Sequence, residues 1–159
     1  DVERTYLTLK EYAKQARRKP RVLVDYMQGA SWYVPGGKSY AGTLYADAHC
    51  DYFNAANQKG GSVPLSFETV YDMAKDADVW LIKYHQQTEM TYDQLQTAYA
   101  PYNGFKAFKD RKIFGCNTCE KDYYGRTCFS PDVLLRDLLI VLHPELYPDE
   151  KPVFYTPLQ

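Results

Sequence analysis

Three short apolar runs of this sequence each lead into a loop rich in Tyr, Trp, Gly, Asn and His. The runs are 21–25, 79–83 and 112–115, and the loops that follow them are 26–33, 84–87 and 117–124. Ligands of open α/β sheets bind at the carboxyl ends of the strands, so these loops are where we expect a ligand. Flat amphipathic side chains suit the holding of a bulky molecule better than the breaking of a bond.

The three histidines give no pattern of a catalytic site or a metal site. His49, His85 and His143 fall on separate predicted elements, so a Ser-His-Asp or Cys-His site has no local signature here. Only His85 lies in one of the three loops. His143 precedes Pro144 and is typical of a helix end, where a cation is favourable.

The chain has four cysteines, Cys50, Cys116, Cys119 and Cys128. They could bind zinc, form a redox-active pair or form disulfides. Four thiolates could bind zinc, but a second Cys-x-x-Cys or a His pair at ligand spacing is missing. A thioredoxin-like site needs the Cys pair at a helix start, whereas Glu-Lys-Asp-Tyr-Tyr-Gly follows Cys119 and reads as loop. We therefore expect a disulfide that pins this loop, with its pairing open, and cysteine usage does not decide the compartment.

The turn Gly36-Gly37-Lys38-Ser39 resembles the end of a phosphate-binding P-loop. That motif needs a further glycine five positions before Gly37, where this chain has Trp32. Nucleotide binding is therefore not expected. Free backbone N–H groups at the start of the helix predicted from Tyr40 could still receive a carboxylate or another anionic ligand group, and a plain glycine-rich turn is the alternative.

Length and charge restrict the class of protein. A chain of 159 residues can form one domain with a substantial core. A net charge of −1 gives no basic footprint for nucleic acid, and the basic residues of 14–19 are predicted to be the solvated end of a helix. No apolar run approaches the roughly 20 residues of a membrane span, and no signal peptide is visible. The start at Asp1 instead of Met indicates a processed or cut fragment.

Strands and helices alternate along the chain. The predicted helices are 5–18, 40–48, 67–77, 91–99 and a last one from Pro131, with Thr5 and Ser66 as caps and Pro20 and Pro144 as stops. The predicted strands are 22–24, 78–83 and 113–115, with a short extended piece near Tyr52. Alternation of this kind predicts an α/β fold with a mostly parallel sheet and helices on both faces.

Several segments together resemble a known family. They include Tyr6 with Leu9, the segments 19–23, 32–40, 47–48, 65–70 and 76–80, and most specifically Pro131-Asp132-Val133-Leu134-Leu135-Arg136-Asp137-Leu138 with His143-Pro144-Glu145-Leu146. The chain resembles the C-terminal lobe of the periplasmic binding proteins that deliver ferric siderophores, heme or cobalamin to ABC importers. The loop from Cys116 to Cys128 departs from that family's pattern.

The resemblance implies a three-layer α/β/α, Rossmann-like lobe of a bilobal protein. Residues 1–159 would be one domain, with 1–19 the end of the interlobe connector or the helix after it. The ligand would lie in a cleft against a missing N-terminal lobe, in contact with cleft-facing loops that carry Trp32, Tyr33, Tyr84, His85, Asn117 and Tyr124. Glu68 would dock onto arginines of the membrane permease.

By the same resemblance the protein is no enzyme and needs no cofactor. It would be periplasmic or on the cell surface, anchored to the membrane through the missing N-terminus. Two other hypotheses remain open. One is an enzyme, either a thiol oxidoreductase that uses Cys116 and Cys119 or a nucleotide-dependent one that uses the turn at Gly36. The other is a protein-interaction module in which the Tyr-rich loops form the binding surface.

Overall fold

A computed structural model describes residues 1–121, 123, 125 and 130–159. The described helices are α1 (Val2–Ala13), α2 (Tyr40–Asp47), α3 (Phe67–Ala74), α4 (Tyr92–Ala98), α5 (Lys106–Lys109) and α6 (Pro131–Leu142), with 3-10 turns at Ala100–Gly104 and Pro144–Leu146. The strands are β1 (Arg21–Val24), β2 (Met27–Gln28), β3 (Ser31–Pro35), β4 (Asp51–Tyr52), β5 (Ser62–Leu65), β6 (Val79–Tyr84), β7 (Ile113–Asn117) and β8 (Thr156–Pro157). None of the helices in these residues is long and apolar enough to cross a membrane.

The main sheet has the strand order β4-β1-β6-β7-β8, and β4, β1, β6 and β7 run parallel. β8 is antiparallel to β7. Val22 pairs with Val79, and Tyr84 pairs with Asn117 at the far end of the sheet. The helices cover both faces, so the predicted three-layer α/β/α fold with a mostly parallel sheet is confirmed. Because neighbouring strands run the same way, their carboxyl ends share one edge.

A second, antiparallel sheet has the order β2-β3-β5. Residues 26–33 were predicted to be a loop, and this prediction was wrong, because they contain β2 and the start of β3. Gly29 adopts φ +62° in a tight turn, which lets Gln28 pair with Ser31. Along β3, side chains alternate between core and solvent: Trp32 is buried and Tyr33 is exposed. β2 has two residues, which is too short for an alternating pattern to be read from sequence alone.

The first helix begins and ends earlier than predicted. Asp1 caps it by accepting a hydrogen bond from the Glu3 backbone N–H at 2.9 Å. Thr5, the expected cap, lies inside α1, where its hydroxyl donates to the Asp1 carbonyl at 3.0 Å. α1 ends at Ala13, so the basic segment 14–19 is a turn and not the end of the helix. The helical spacing of apolar residues between Thr5 and Ala16 does not show where the helix begins or ends.

A cluster of aromatic side chains joins the two sheets. Trp32 lies 5.9 Å from Trp80 and 5.8 Å from both Tyr102 and Phe105, measured between ring centroids. The indole N–H of Trp32 donates to the Val24 carbonyl at 2.9 Å, and that of Trp80 to the Asp25 carbonyl at 2.7 Å. Both indoles therefore hold the carboxyl end of β1 in place.

Candidate functional site

The structure brings together two of the three predicted ligand loops. β6 and β7 are parallel neighbours in register, so the segments that follow Tyr84 and Asn117 leave the sheet side by side. The Thr118 backbone N–H donates to the Tyr84 carbonyl at 2.7 Å. This pair of loops, residues 85–89 and 118–121, is called the paired-loop site below. It lies at the carboxyl edge of the sheet, where sequence placed it.

Asn117 ties the two loops to each other. Its side-chain oxygen accepts hydrogen bonds from the backbone N–H groups of Gln86 and Cys119, at 3.3 and 3.1 Å. Its amide group donates to the carbonyls of Gln86 and Thr88, at 2.8 and 3.4 Å. The side chain is buried and its hydrogen-bonding groups are used inside the protein. Asn117 therefore holds the two loops together.

Tyr84 has the same supporting role. It is buried, and its hydroxyl donates to Glu89 at 3.1 Å while accepting from the Met90 backbone N–H at 3.0 Å. Burial raises the pKa of this phenol, so it stays a neutral hydrogen-bonding group. On the outer side of the loop, Gln86 and Gln94 exchange two side-chain hydrogen bonds of 2.9 and 2.7 Å.

His85 is the predicted site residue that the paired-loop site exposes to solvent. Its ring Nδ1 lies 3.0 Å from the Thr118 hydroxyl oxygen. The same hydroxyl donates to the Tyr84 carbonyl at 3.1 Å. The ring is thus held on one side by the neighbouring loop.

Trp32 and Tyr33 lie apart from that arrangement on β3. Trp32 is 0% exposed, and the rings of the aromatic cluster surround its side chain. Tyr33 is 49% exposed and lies opposite Pro64 on the outer face of the second sheet. Tyr124 lies outside the described residues.

An ion pair at the carboxyl edge of the sheet was missed by the sequence analysis. Lys83 Nζ lies 3.6 Å from an Asp25 carboxylate oxygen, with side chains 19% and 22% exposed. Asp25 follows β1 with φ +61°, a conformation that turns the chain sharply at that point. Lys83 also lies 5.7 Å from the centre of the Tyr123 ring. The available signal was one lysine in the otherwise apolar run of β6.

His49 and His143 come together although they lie far apart in sequence. Their ring centroids are 5.9 Å apart, and His143 is buried with Nε2 2.9 Å from the Ala48 carbonyl. His143 is the C-cap residue of α6, so it lies at the helix end predicted for it. The described residues hold no group of three or more His, Cys, Asp or Glu side chains that could bind a metal ion.

The glycine-rich turn is not an open anion site. The backbone N–H groups of Gly36, Gly37 and Lys38 donate to carbonyls of Gly61, Asn57 and Lys59, at 2.8, 2.9 and 3.1 Å. These three donors of the turn are therefore occupied by the segment 57–61. Ser39 caps α2 by accepting from the Gly42 backbone N–H at 3.0 Å. An anion site at the start of α2 stays a prediction.

Gly37→Ala is expected to destabilise the protein by more than about 2 kcal/mol, because a Cβ atom would lie 2.0 Å from the Ala55 carbonyl oxygen. Gly60→Ala is the matched control, since nothing lies within 4 Å of its added Cβ, and it should change stability by less than about 0.5 kcal/mol. Urea denaturation of both variants measures the difference. Equal effects would contradict the close packing described for Gly37.

The cysteines that the structure describes are free thiols: Cys50, Cys116 and Cys119. The expected disulfide is therefore not formed among these three, and Cys128 lies outside the described residues. Cys50 and Cys116 are buried on different elements, and burial raises the pKa of each thiol to about 12. A dithiol oxidoreductase needs a low thiol pKa, so Cys116 opposes that hypothesis.

Glu68 lies where sequence placed it, exposed in the first turn of α3. Ser66 caps this helix by accepting from the Thr69 backbone N–H at 3.2 Å. An acid at this position interacts favourably with the helix dipole and is also free to face another protein.

The comparisons with known proteins agree with the fold. The family described as "Periplasmic binding protein" matches residues 1–118. An uncharacterized lipoprotein of Methanocaldococcus jannaschii is 31% identical over 140 residues, which are 86% of this chain and 32% of that protein. The TroA-like periplasmic binding protein FepB of Veillonella parvula has a TM-score of 0.71 at 15% identity, over 99% of this chain and 54% of that chain.

A heme-binding periplasmic protein, RhuT of Roseiflexus sp. RS-1, has a TM-score of 0.59 at 20% identity, over 91% of this chain and 54% of that chain. The chain thus spans about a third of the lipoprotein and about half of these two solved structures. The family match covers most of the chain, and the α/β/α layers have the same fold as these solved structures. The chain belongs to the periplasmic binding protein family.

Proposed function

We propose that this chain is the C-terminal lobe of an extracytoplasmic binding protein that delivers a ferric siderophore, heme or cobalamin to an ABC importer. The observation that carries the proposal is the paired-loop site, which exposes His85 at the carboxyl edge of the sheet in a member of this family. Residues 1–159 would form one domain, with 1–19 next to the connector to an N-terminal lobe. Such a lobe binds and releases cargo and performs no catalysis.

Ligand contacts would come from the exposed side chains of the cleft-facing loops. His85 and Tyr33 are exposed, and Tyr124 belongs to the same proposed set. Tyr84 and Asn117 would act by holding the loops, and Trp32 by filling the core beneath β3. One lobe supplies half of such a cleft, so it should bind more weakly alone than with its partner lobe.

Membrane attachment and permease docking complete the proposal. The related lipoprotein supports a location outside the cytoplasm with an anchor to the membrane. Glu68 would pair with arginines of the permease, since an exposed carboxylate at a helix start offers a planar group for such pairs.

Thermal-shift and tryptophan-fluorescence titrations of the full-length gene product against ferric siderophores, heme and cobalamin test the proposal. A saturable shift with one class would support the transport function and name the cargo. If the folded protein shows no saturable shift with any of these compounds, the result would contradict the proposal and favour the protein-interaction module.

Glu68→Ala is expected to lower cargo uptake by about tenfold or more, while cargo affinity stays within about twofold, because the lost ion pair lies outside the cleft. Asp93→Ala is the matched control. Asp93 is also exposed, lies in the first turn of α4 and follows the cap Thr91 by two residues. It should leave uptake unchanged. Uptake of radiolabelled cargo into cells checks both variants, and full uptake with Glu68→Ala would refute the docking role.

A further inference from the structure

We propose that the amino edge of the main sheet is a docking surface for an anionic lipid bilayer. The segments 48–51, 14–21, 75–78 and 106–112 lead into β4, β1, β6 and β7, and together they are called the basic pole below. Because these four strands are parallel neighbours, the segments before them share one edge of the sheet, opposite the paired-loop site. The inference rests on the proposed function in one respect, the attachment of the chain to a membrane outside the cytoplasm.

Positive charge is concentrated at the basic pole. Its four segments carry ten of the 19 Lys and Arg residues but four of the 20 Asp and Glu residues, a net charge of +6. The chain as a whole has a net charge of −1, so the remaining residues carry −7. Nine of the ten basic residues are exposed, and Arg21 is half-buried. A distribution this asymmetric attracts the pole to an anionic surface and repels the rest of the protein from it.

Much of this positive charge is available to a partner. Within the part of the chain that the structure describes, six of the ten basic residues form no ion pair: Arg17, Lys19, Lys75, Lys109, Arg111 and Lys112. Their charges face solvent, so an anionic partner can approach them without displacing an internal carboxylate.

The acidic residues of the basic pole hold its segments together. Asp78 accepts from the Arg21 backbone N–H at 2.9 Å, and its carboxylate lies 3.4 Å from the Lys106 ammonium. The Arg21 guanidinium pairs with Asp51 at 2.8 Å. The Lys106 backbone N–H donates to the Lys75 carbonyl at 2.8 Å. These contacts link all four segments, so the basic pole is one continuous surface.

The spread of the cations favours an extended anionic surface over a single multivalent anion. Neighbouring strands lie about 4.8 Å apart, so the segments before the four strands extend over about 14 Å. A bilayer presents its anionic headgroups over a wide plane, and each Lys or Arg near that plane raises affinity by about fivefold. A membrane anchor keeps the protein beside the bilayer, where such weak contacts act at high effective concentration.

The opposite placement of the two edges gives this contact a role. β6 begins at the basic pole and ends at Tyr84, where the paired-loop site starts. A chain that rests on its basic pole therefore holds the paired-loop site away from the lipid, with His85 exposed to cargo in solution.

Vesicle co-sedimentation tests the inference with the full-length gene product prepared without lipid modification. The probes are vesicles of phosphatidylcholine alone, and of phosphatidylcholine with about 30% phosphatidylglycerol. We expect binding to the anionic vesicles only, weakened about tenfold or more when NaCl is raised from about 0.05 to about 0.5 M. Equal binding to both kinds of vesicle, or binding to neither, would overturn the inference.

A pair of charge-reversed variants locates the contact. Arg17→Glu with Lys112→Glu changes two exposed loop residues of the basic pole, and should weaken binding to the anionic vesicles by about 30-fold or more. Lys38→Glu with Lys59→Glu is the matched control, since it changes the net charge equally at two exposed residues outside the pole. It should bind within about threefold of the natural protein. Thermal unfolding verifies that both variants fold, and equal losses of binding would overturn the role of the pole.

Acetylation of lysines maps the contact on the natural protein. With the anionic vesicles, Lys19, Lys109 and Lys112 are expected to react at least about threefold more slowly, while Lys38 and Lys59 react at unchanged rates. Protection by the soluble polyanion heparin, without protection by vesicles, would overturn the bilayer as the partner and favour an anionic polymer.

Titrations with hemin, ferrioxamine B and cyanocobalamin keep this inference apart from the proposed function. The variant of Arg17 and Lys112 should bind any of these probes as the natural protein does, because the basic pole lies at the edge opposite the paired-loop site. Cargo binding without vesicle binding would overturn the inference and leave the transport function standing. Vesicle binding without cargo binding would support the inference and contradict the transport function.

Discussion

Replacement of Trp32 by alanine is expected to lower the free energy of unfolding by about 3 to 5 kcal/mol. The indole is 0% exposed, and it contacts the rings of Phe67, Trp80, Tyr102 and Phe105. Removing it leaves a cavity between the two sheets that the rigid aromatic neighbours cannot fill. It also leaves the Val24 carbonyl without its indole donor.

Chemical denaturation of Trp32→Ala measures this loss of stability. Two further variants serve as comparisons. Trp32→Phe keeps an aromatic ring but loses the N–H, and should cost about 1 to 3 kcal/mol. Tyr33→Ala removes the exposed neighbour on the same strand and should change stability by less than about 0.5 kcal/mol. A Trp32→Ala protein that is as stable as Tyr33→Ala would place Trp32 outside the core.

Asp137→Ala is expected to cost about 2 to 5 kcal/mol and to release the end of the chain. This buried carboxylate on α6 accepts hydrogen bonds from the backbone N–H groups of Val153, Phe154 and Tyr155, the last two at 3.1 Å. Phe154 and Tyr155 are buried, so their N–H groups would lose a partner that water cannot readily replace. Denaturation and limited proteolysis of residues 153–159 check the two effects.

The pH dependence of stability gives a second test of Asp137. Burial raises the pKa of this carboxyl, against the opposing effect of the three N–H donors. The native state then holds its proton more tightly than the unfolded state, so this group's contribution to stability falls as pH rises from the ordinary carboxyl pKa near about 4 to the raised native value. Asp137→Asn does not titrate and lacks this fall. If the difference in free energy of unfolding between the natural protein and Asp137→Asn stays constant over that pH range, the raised pKa of Asp137 would be contradicted.

Local signals explain why much of the fold was predictable. Ser66 accepts from a backbone N–H three residues ahead, and its helix begins where this cap predicts. Thr91, predicted as the first residue of its helix, is instead the cap of α4 and accepts from the Gln94 backbone N–H. The continuous apolar run of β6 likewise predicts a strand buried on both faces. These elements predict that the loops after Tyr84 and Asn117 leave the sheet at its carboxyl edge. The pairing of β6 with β7 brings the two loops together.

Contacts between distant residues explain what the sequence could not reveal. The Met27 backbone N–H donates to the Tyr102 hydroxyl at 2.8 Å, a contact across 75 positions that holds the hairpin over the aromatic cluster. No local pattern shows that Trp32 faces inward while Tyr33 faces outward. No local pattern shows that Asp25 and Lys83 form an ion pair, or that the Thr118 hydroxyl lies beside His85.

The last strand has a consequence for how this protein behaves at high concentration. Thr156 and Leu158 face β7, where Leu158 donates to the Ile113 carbonyl, so the backbone nitrogen of Pro157 points away from the sheet. An approaching strand from another molecule would seek a donor at that position, and proline has none. A two-residue strand that ends the sheet in this way discourages edge-to-edge aggregation. Among the described residues, this edge of the sheet therefore offers no backbone donor at Pro157.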